Sequence, residues 1–360
     1  MNSHDHIDLW KLLNDADLVK GKLPEDEVSA PWYVSTMLGA AGWLGALFLF
    51  GFVGVAFKLV IDSAAGLLIV GALCCFVAYA LFSFVRKNIF VTQFGLALSL
   101  TGQAMFIFGL SKMGEPYFLV ILALIFVFEA LLAALAPNFI HRVISTWAAI
   151  LALSMFLARL GVGPLAPVLP AIGLAFIWLN ELRWVGHATL WQPIGYGLAL
   201  SLVQIDASLL WRNGELWLME RGKNADWLFL HAPWIGRLVV ALILIGAVAW
   251  LIKRDGVALK SQRGIALLAV TLLVTVLSLL APGLSSALLL VLLGFAVGNL
   301  VLQGLGYVAF AGFLVYYYYQ LDMTLLMKSM VLMGMGALLL LARAALLRWF
   351  SPLAEEHSHA

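Results

Sequence analysis

Glu129 is a carboxylic acid placed inside the unbroken apolar run from Phe118 to Leu135. Burying an ionised carboxyl among such side chains is costly, so it is expected to be protonated or paired. Within a helix over 117–136 it lies about 18 Å from one end and about 10 Å from the other, at about 1.5 Å per residue. A side chain that short cannot snorkel to either surface from there. Two kinds of chemistry meet the requirement: coupling to a proton or small cation, or a hydrogen bond that fastens two helices.

The other polar groups in apolar stretches are few. Asp206 lies about 8 Å inside the end of its helix. Ser201, Gln204 and Ser208 recur on that helix at spacings of three and four, and Asp206 projects about 200° from Gln204. That helix is therefore polar on two sides and expected in the interior, either along a substrate path or in hydrogen-bonded packing. Asp322 and Lys328 bracket the start of the last helix, after Tyr316, Tyr317, Tyr318, Tyr319 and Gln320. A lysine there can snorkel, and tyrosines suit the headgroup belt. Four consecutive tyrosines nevertheless cover every face of a helix, so some hydroxyls must meet protein, and Asp322 or Lys328 could partner them. Gln103, Arg159 and Asp62 complete the main candidates. Asn299 and Gln303 follow Gly294 and Gly298, whose spacing permits close helix approach.

The elements that must hold these groups follow from composition. Of 360 residues, 64% are hydrophobic and only 11% charged, with mean hydropathy +1.02. Soluble domains carry about 25% charged residues, so the bilayer is the natural partner of this surface. In hydrocarbon the backbone must satisfy itself, so each long run reads as a helix of about 20 residues. Twelve spans are expected, with cores near 32–56, 63–85, 89–110, 117–136, 143–160, 164–181, 193–211, 235–252, 264–281, 283–302, 304–320 and 324–344. The breaks at Pro282-Gly283 and Gly304 to Gly306 are the least regular. The fold class is thus an all-α polytopic bundle over 32–350, with an amphipathic leader at 1–31 and a tail at 351–360.

Basic residues are retained on the cytoplasmic side. An inside N-terminus puts Lys11, Lys20, Lys22, Arg86, Lys87, Arg142, Arg183, Lys253, Arg254, Lys260, Arg263, Arg343 and Arg348 there, and makes both termini cytoplasmic. In that topology Asp62, Gln103, Arg159, Asp206, Asp322 and Lys328 fall in the outer half, and Glu129 in the inner half. The expectation is an outward-facing polar vestibule roofed by the segment Trp211 to Trp234. That segment carries Trp217, Trp227, Arg221 and His231, candidates for contact with headgroups or with a membrane or periplasmic protein partner.

Other classes find little to stand on. The net charge of +2 is small and the basic residues are dispersed, which argues against nucleic acid. No Walker loop, dinucleotide fingerprint, HExxH, GxSxG or EF-hand spacing occurs, so no cofactor is expected. His4, His6, His357 and His359 stand in the tails, and Cys74-Cys75 is an adjacent apolar pair, so no metal site is expected either. Three readings stay open: a transport-like protein, a non-catalytic accessory or scaffold subunit docking through 211–234, and a membrane glycan or lipid transferase using Arg212, Arg221, Arg237, His231 and Glu215.

The stretch from Tyr316 to Ser329, continuing to Gly334 and Arg343, resembles a pattern in the bacterial membrane-protein family called domain of unknown function 4401. The Pro31-Trp32-Tyr33 entry into the first helix and the length are also similar. The resemblance covers most of the chain and implies a bacterial inner-membrane location. It carries no activity and assigns no role to Lys328.

Overall fold

The computed structural model describes residues 12, 14, 32–56, 62–85, 88–211, 227–279, 283–320 and 325–349. Among them the chain is all-helical, with twelve α-helices and no strand. The first five are α1 (Trp32–Ala56), α2 (Ala64–Phe84), α3 (Ile89–Ser111), α4 (Phe118–Leu135) and α5 (Phe139–Arg159). They are followed by α6 (Val168–Leu179), α7 (Ala188–Trp211), α8 (Trp227–Arg254) and α9 (Gln262–Leu279). The last three are α10 (Leu284–Ala296), α11 (Leu300–Gln320) and α12 (Leu325–Trp349).

Helix starts are written in short polar side chains that accept from the first free amides. Ser63 Oγ accepts from Gly66 N at 2.9 Å, Asn88 Oδ1 from Val91 N at 3.2 Å, and Asn138 Oδ1 from His141 N at 3.0 Å. Asn299 Oδ1 does the same for α11, taking Val301 N at 3.1 Å and Leu302 N at 3.0 Å.

Eight helical stretches among the described residues are long and apolar enough to cross a membrane. The two helices α6 and α10, of 12 and 13 residues, are not. At about 18 Å and 20 Å they fall short of a hydrocarbon core of about 30 Å. Both are nonetheless central: Leu174 and Trp178 of α6, Leu202 of α7, Leu244 of α8, Leu289 and Leu293 of α10 and Leu302 of α11 form one buried cluster. α10 lies along the middle of α7. Its first turn packs by Ala207 and Leu210, and Asn299, just past its end, reaches Tyr196.

Several boundaries differ from the sequence expectation. The expected helix 283–302 ends at Ala296, and the chain turns through Gly298 at φ 67°. α11 then runs unbroken through Gly304 and Gly306, the expected break. Gly294 and Gly298 therefore do not form one contact face. Gly294 receives the Gln303 backbone, whereas Gly298 supplies a left-handed turn that a side chain would strain. α8 starts at Trp227, so the end of the expected surface segment is helical; residues 212–226 lie outside those described.

Small residues set a tight seam between α2 and α3. A Cβ on Gly71 of α2 would lie 2.7 Å from the Gly102 carbonyl oxygen, and one on Gly102 of α3 would lie 2.7 Å from that of Gly71. Lipid exerts no hydrophobic pressure between helices, so such backbone approach and hydrogen bonds must supply the attraction.

Candidate functional site

The α2–α3 seam brings Cys75 and Ser99 together, with the Cys75 thiol 3.6 Å from the Ser99 carbonyl oxygen. One turn along α3, Gln103 faces α5. Its amide nitrogen stands 3.0 Å from Ser145 Oγ and 3.0 Å from His141 Nε2, while Ser99 Oγ is 2.7 Å from the same ring nitrogen. Ser99/Gln103 and His141/Ser145 are both i, i+4 pairs, so two helices present matched polar stripes. An amide nitrogen has no lone pair to offer, so in this arrangement His141 Nε2 accepts and the ring proton sits on Nδ1. That Nδ1 has no hydrogen-bond partner, although His141 is 1% exposed.

Glu129 of α4 closes the cluster. It is 0% exposed, and neither carboxyl oxygen has a hydrogen-bond partner. Ser145 is the hydroxyl acting on it, without closing a bond of good geometry, and Cys75 lies within its electrostatic reach. Glu129 and Ser145 are each six residues from the α4–α5 turn, about 9 Å along their helices. From the Gln103–Ser145 contact α3 continues about 21 Å to Ile89, whereas α5 ends about 9 Å away at Phe139. Counted along the helices, α5 thus stops about 12 Å short of α3 at this end. His141 occupies the first turn of α5 at that end, with the Phe82 ring edge-on at 5.7 Å.

A second cluster surrounds Asp206 of α7, 8% exposed, whose Oδ2 has no partner. Ser286, in the first turn of α10, acts on it by hydrogen bonding, and Arg237 of α8 acts electrostatically without closing an ion pair. Nearby on α10, Ser285 Oγ is 2.7 Å from Ser278 Oγ of α9.

The remaining sequence candidates separate. Gln103 joins Glu129, but Gln204 is exposed while Asp206 is buried. Ser201 and Ser208 bond the carbonyls of Leu198 and Ile205 on their own helix, so the expected stripe is locally satisfied. The guanidinium of Arg159 lies 4.2 Å over the Phe118 ring, at the opposite end of the α4–α5 pair from His141. Lys328 stands 5.2 Å over the Tyr318 ring, and the Tyr316 hydroxyl donates to the Leu210 carbonyl. Asp322, Trp217 and Arg221 lie outside the described residues; His231 is exposed, and Trp227 opens α8. His141, Ser145 and Ser99 were missed. The available signal was a histidine four residues before a serine in an otherwise apolar run, matched by Ser99 and Gln103.

Against known families, the model for Domain of unknown function (DUF4401) matches residues 31–349. The chain belongs to DUF4401. No curated protein and no solved structure matches it. This DUF4401 member is thus an all-helical, membrane-type protein whose two polar clusters lie in separate helix groups, Glu129 among α2–α5 and Asp206 among α7, α8 and α10.

Proposed function

We propose that this DUF4401 protein is transport-like: a multispanning protein of the bacterial inner membrane with cytoplasmic termini and an outward-facing polar vestibule centred on Asp206. The observation that supports the reading is the open valence of Asp206 Oδ2, more than nine-tenths buried beside Arg237 and the first turn of a helix too short to span. A carboxylate that served only to join helices should have its oxygens engaged, because an unmet buried acceptor costs about 1–3 kcal/mol. The short helix α10 begins level with Asp206, about five residues before the end of α7, so its N-terminus lies beside that carboxyl and within reach of the Arg237 charge. Half-length helices at such sites are a recurrent way to present backbone dipoles to a solute. The segment 212–226, on which a docking or transferase role would rest, lies outside the described residues.

The test is sided accessibility. In vesicles carrying the full chain with Cys74 and Cys75 replaced by alanine, Asp206→Cys is treated with a membrane-impermeant thiosulfonate from either side. Labelling from the side of the 211–234 segment is the expected result. A position 206 that resists the reagent from both sides overturns the vestibule.

A further inference from the structure

We infer that Glu129, beside the Gln103–His141–Ser145 cluster, is an intramembrane proton-binding site. The inference rests on the transport reading for its purpose and names the species that the inner-half site would carry. Glu129 offers two oxygens without a hydrogen-bond partner at 0% exposure, and the Nδ1–H of His141, at 1%, lacks an acceptor. Both belong to a single set of side chains joined through Ser145 and Gln103. A lone carboxylate in that setting would bear the full cost of a buried charge, whereas the acid form is neutral.

The groups that face this acid are few. α5 contributes Ser145, and α2 contributes Cys75, while Ser99, Gln103 and the His141 they bond are linked to it through Ser145. Arg142, whose charge acts on neighbouring His141, donates to the Thr189 carbonyl at 2.6 Å and the Ala134 carbonyl at 3.4 Å. Arg159 and Lys112 sit at the other end of these helices, on the rings of Phe118 and Phe108. Among the described residues no cation closes an ion pair with Glu129. When a solvent proton binds, one O–H bond forms on the carboxylate and the buried negative charge is cancelled; its release breaks that bond and restores the charge.

Dicyclohexylcarbodiimide tests this directly, because it reacts with protonated carboxyls reached through apolar surroundings: the acid O–H adds across one C=N bond and nothing is expelled. Vesicles with the full-length protein are treated across a pH series and the adduct located by peptide mass spectrometry. The expected adduct is on the peptide containing Glu129, fades as pH rises, and is absent in Glu129→Gln. No adduct at any pH, or labelling indifferent to pH, overturns the proton site. Protection by NaCl but not choline chloride at fixed pH assigns the site to Na⁺ and overturns it too. Should Glu129→Gln fail to fold, the wild-type pH series with peptide-level location still decides. Position 206 sealed with Glu129 labelled would overturn the vestibule and leave the proton site standing.

Discussion

Gly102→Ala should loosen the Gln103–His141–Ser145 cluster through packing alone. The added methyl would lie 2.7 Å from the Gly71 carbonyl oxygen and 2.9 Å from Cys74 Cβ and Cys75 Sγ, whereas ordinary contact begins at 3.4 Å. The nearest of these atoms is backbone and cannot rotate aside, so α2 and α3 must part by about 0.7 Å or distort. Overpacking of this kind costs about 1–3 kcal/mol, more than the gain of about 1 kcal/mol that alanine brings to a helix interior. Gln103 follows directly in sequence, and Cys75 is bonded to Ser99, so the separation is transmitted to the His141 ligands.

The native thiols report the event. Cys74 and Cys75 are the two cysteines of the chain, and Cys75 is buried in this seam. A coumarin maleimide that fluoresces on thiol addition therefore reads local opening during a thermal ramp of the detergent-purified protein. Gly102→Ala and Gly71→Ala should each melt several degrees below the parent. The double variant should lose less than the two added together, because one separation relieves both clashes. Gly304→Ala and Gly312→Ala, with no atom within 4 Å of the added methyl, should melt at or above the parent temperature. A Gly102→Ala protein as stable as the parent, or a Gly304→Ala protein equally weakened, refutes the packing argument.

Asn299→Ala removes both the α11 cap and the donor to Tyr196, at 2.6 Å, and should cost about 2 kcal/mol; Tyr196→Phe loses the second bond alone and should cost about half. Equal melting temperatures for the two would contradict that division. Arg237→Gln removes the cation acting on buried Asp206, so adding Asp206→Asn should restore melting temperature, and two equally unstable proteins would show that the charge is not the cause. Ser278→Ala and Ser285→Ala share one bond of 2.7 Å, so the double variant should cost less than the sum of the singles in the same thermal assay.

Much of the fold is legible because bilayer chemistry allows few alternatives. Long apolar runs announce the helices: the starts expected at 63 and 89 fall within a residue of α2 and α3, capped by Ser63 and Asn88, whereas α5, expected from 143, starts at Phe139 behind Asn138. The errors cluster where glycine is ambiguous. Gly304 and Gly306 read as a break but lie within an unbroken helix, where Gly306 meets Val291 of α10, whereas Gly298, read as a contact residue, makes the turn. Glu129 was legible as a depth anomaly, since hydropathy alone exposes a carboxyl in a leucine run. His141 was not, because it stands beside Arg142 at a helix start, where one-dimensional reading sees an interfacial charge pair. Only the third dimension shows that the start of α5 packs beside the middle of α3, so a helix-end residue is buried.

Polar groups inside a helical membrane protein have an ordinary explanation as glue, and several here fulfil it. Ser278 meets Ser285, Asn299 meets Tyr196 while capping α11, and Ser201 and Ser208 close onto their own helix. Each engages its neighbours and needs nothing else. The oxygens of Glu129 and Asp206 Oδ2 are as buried as the glue, yet have no hydrogen-bond partner. Thr146 Oγ1, Trp178 Nε1 and Thr275 Oγ1 are buried and unpartnered too, so open valence alone does not mark a site. What separates the two carboxyls is that each can gain or lose a charge, and a buried charge costs far more than an unmet hydroxyl or indole. Packing therefore explains these two acids least of all the polar groups in the bundle.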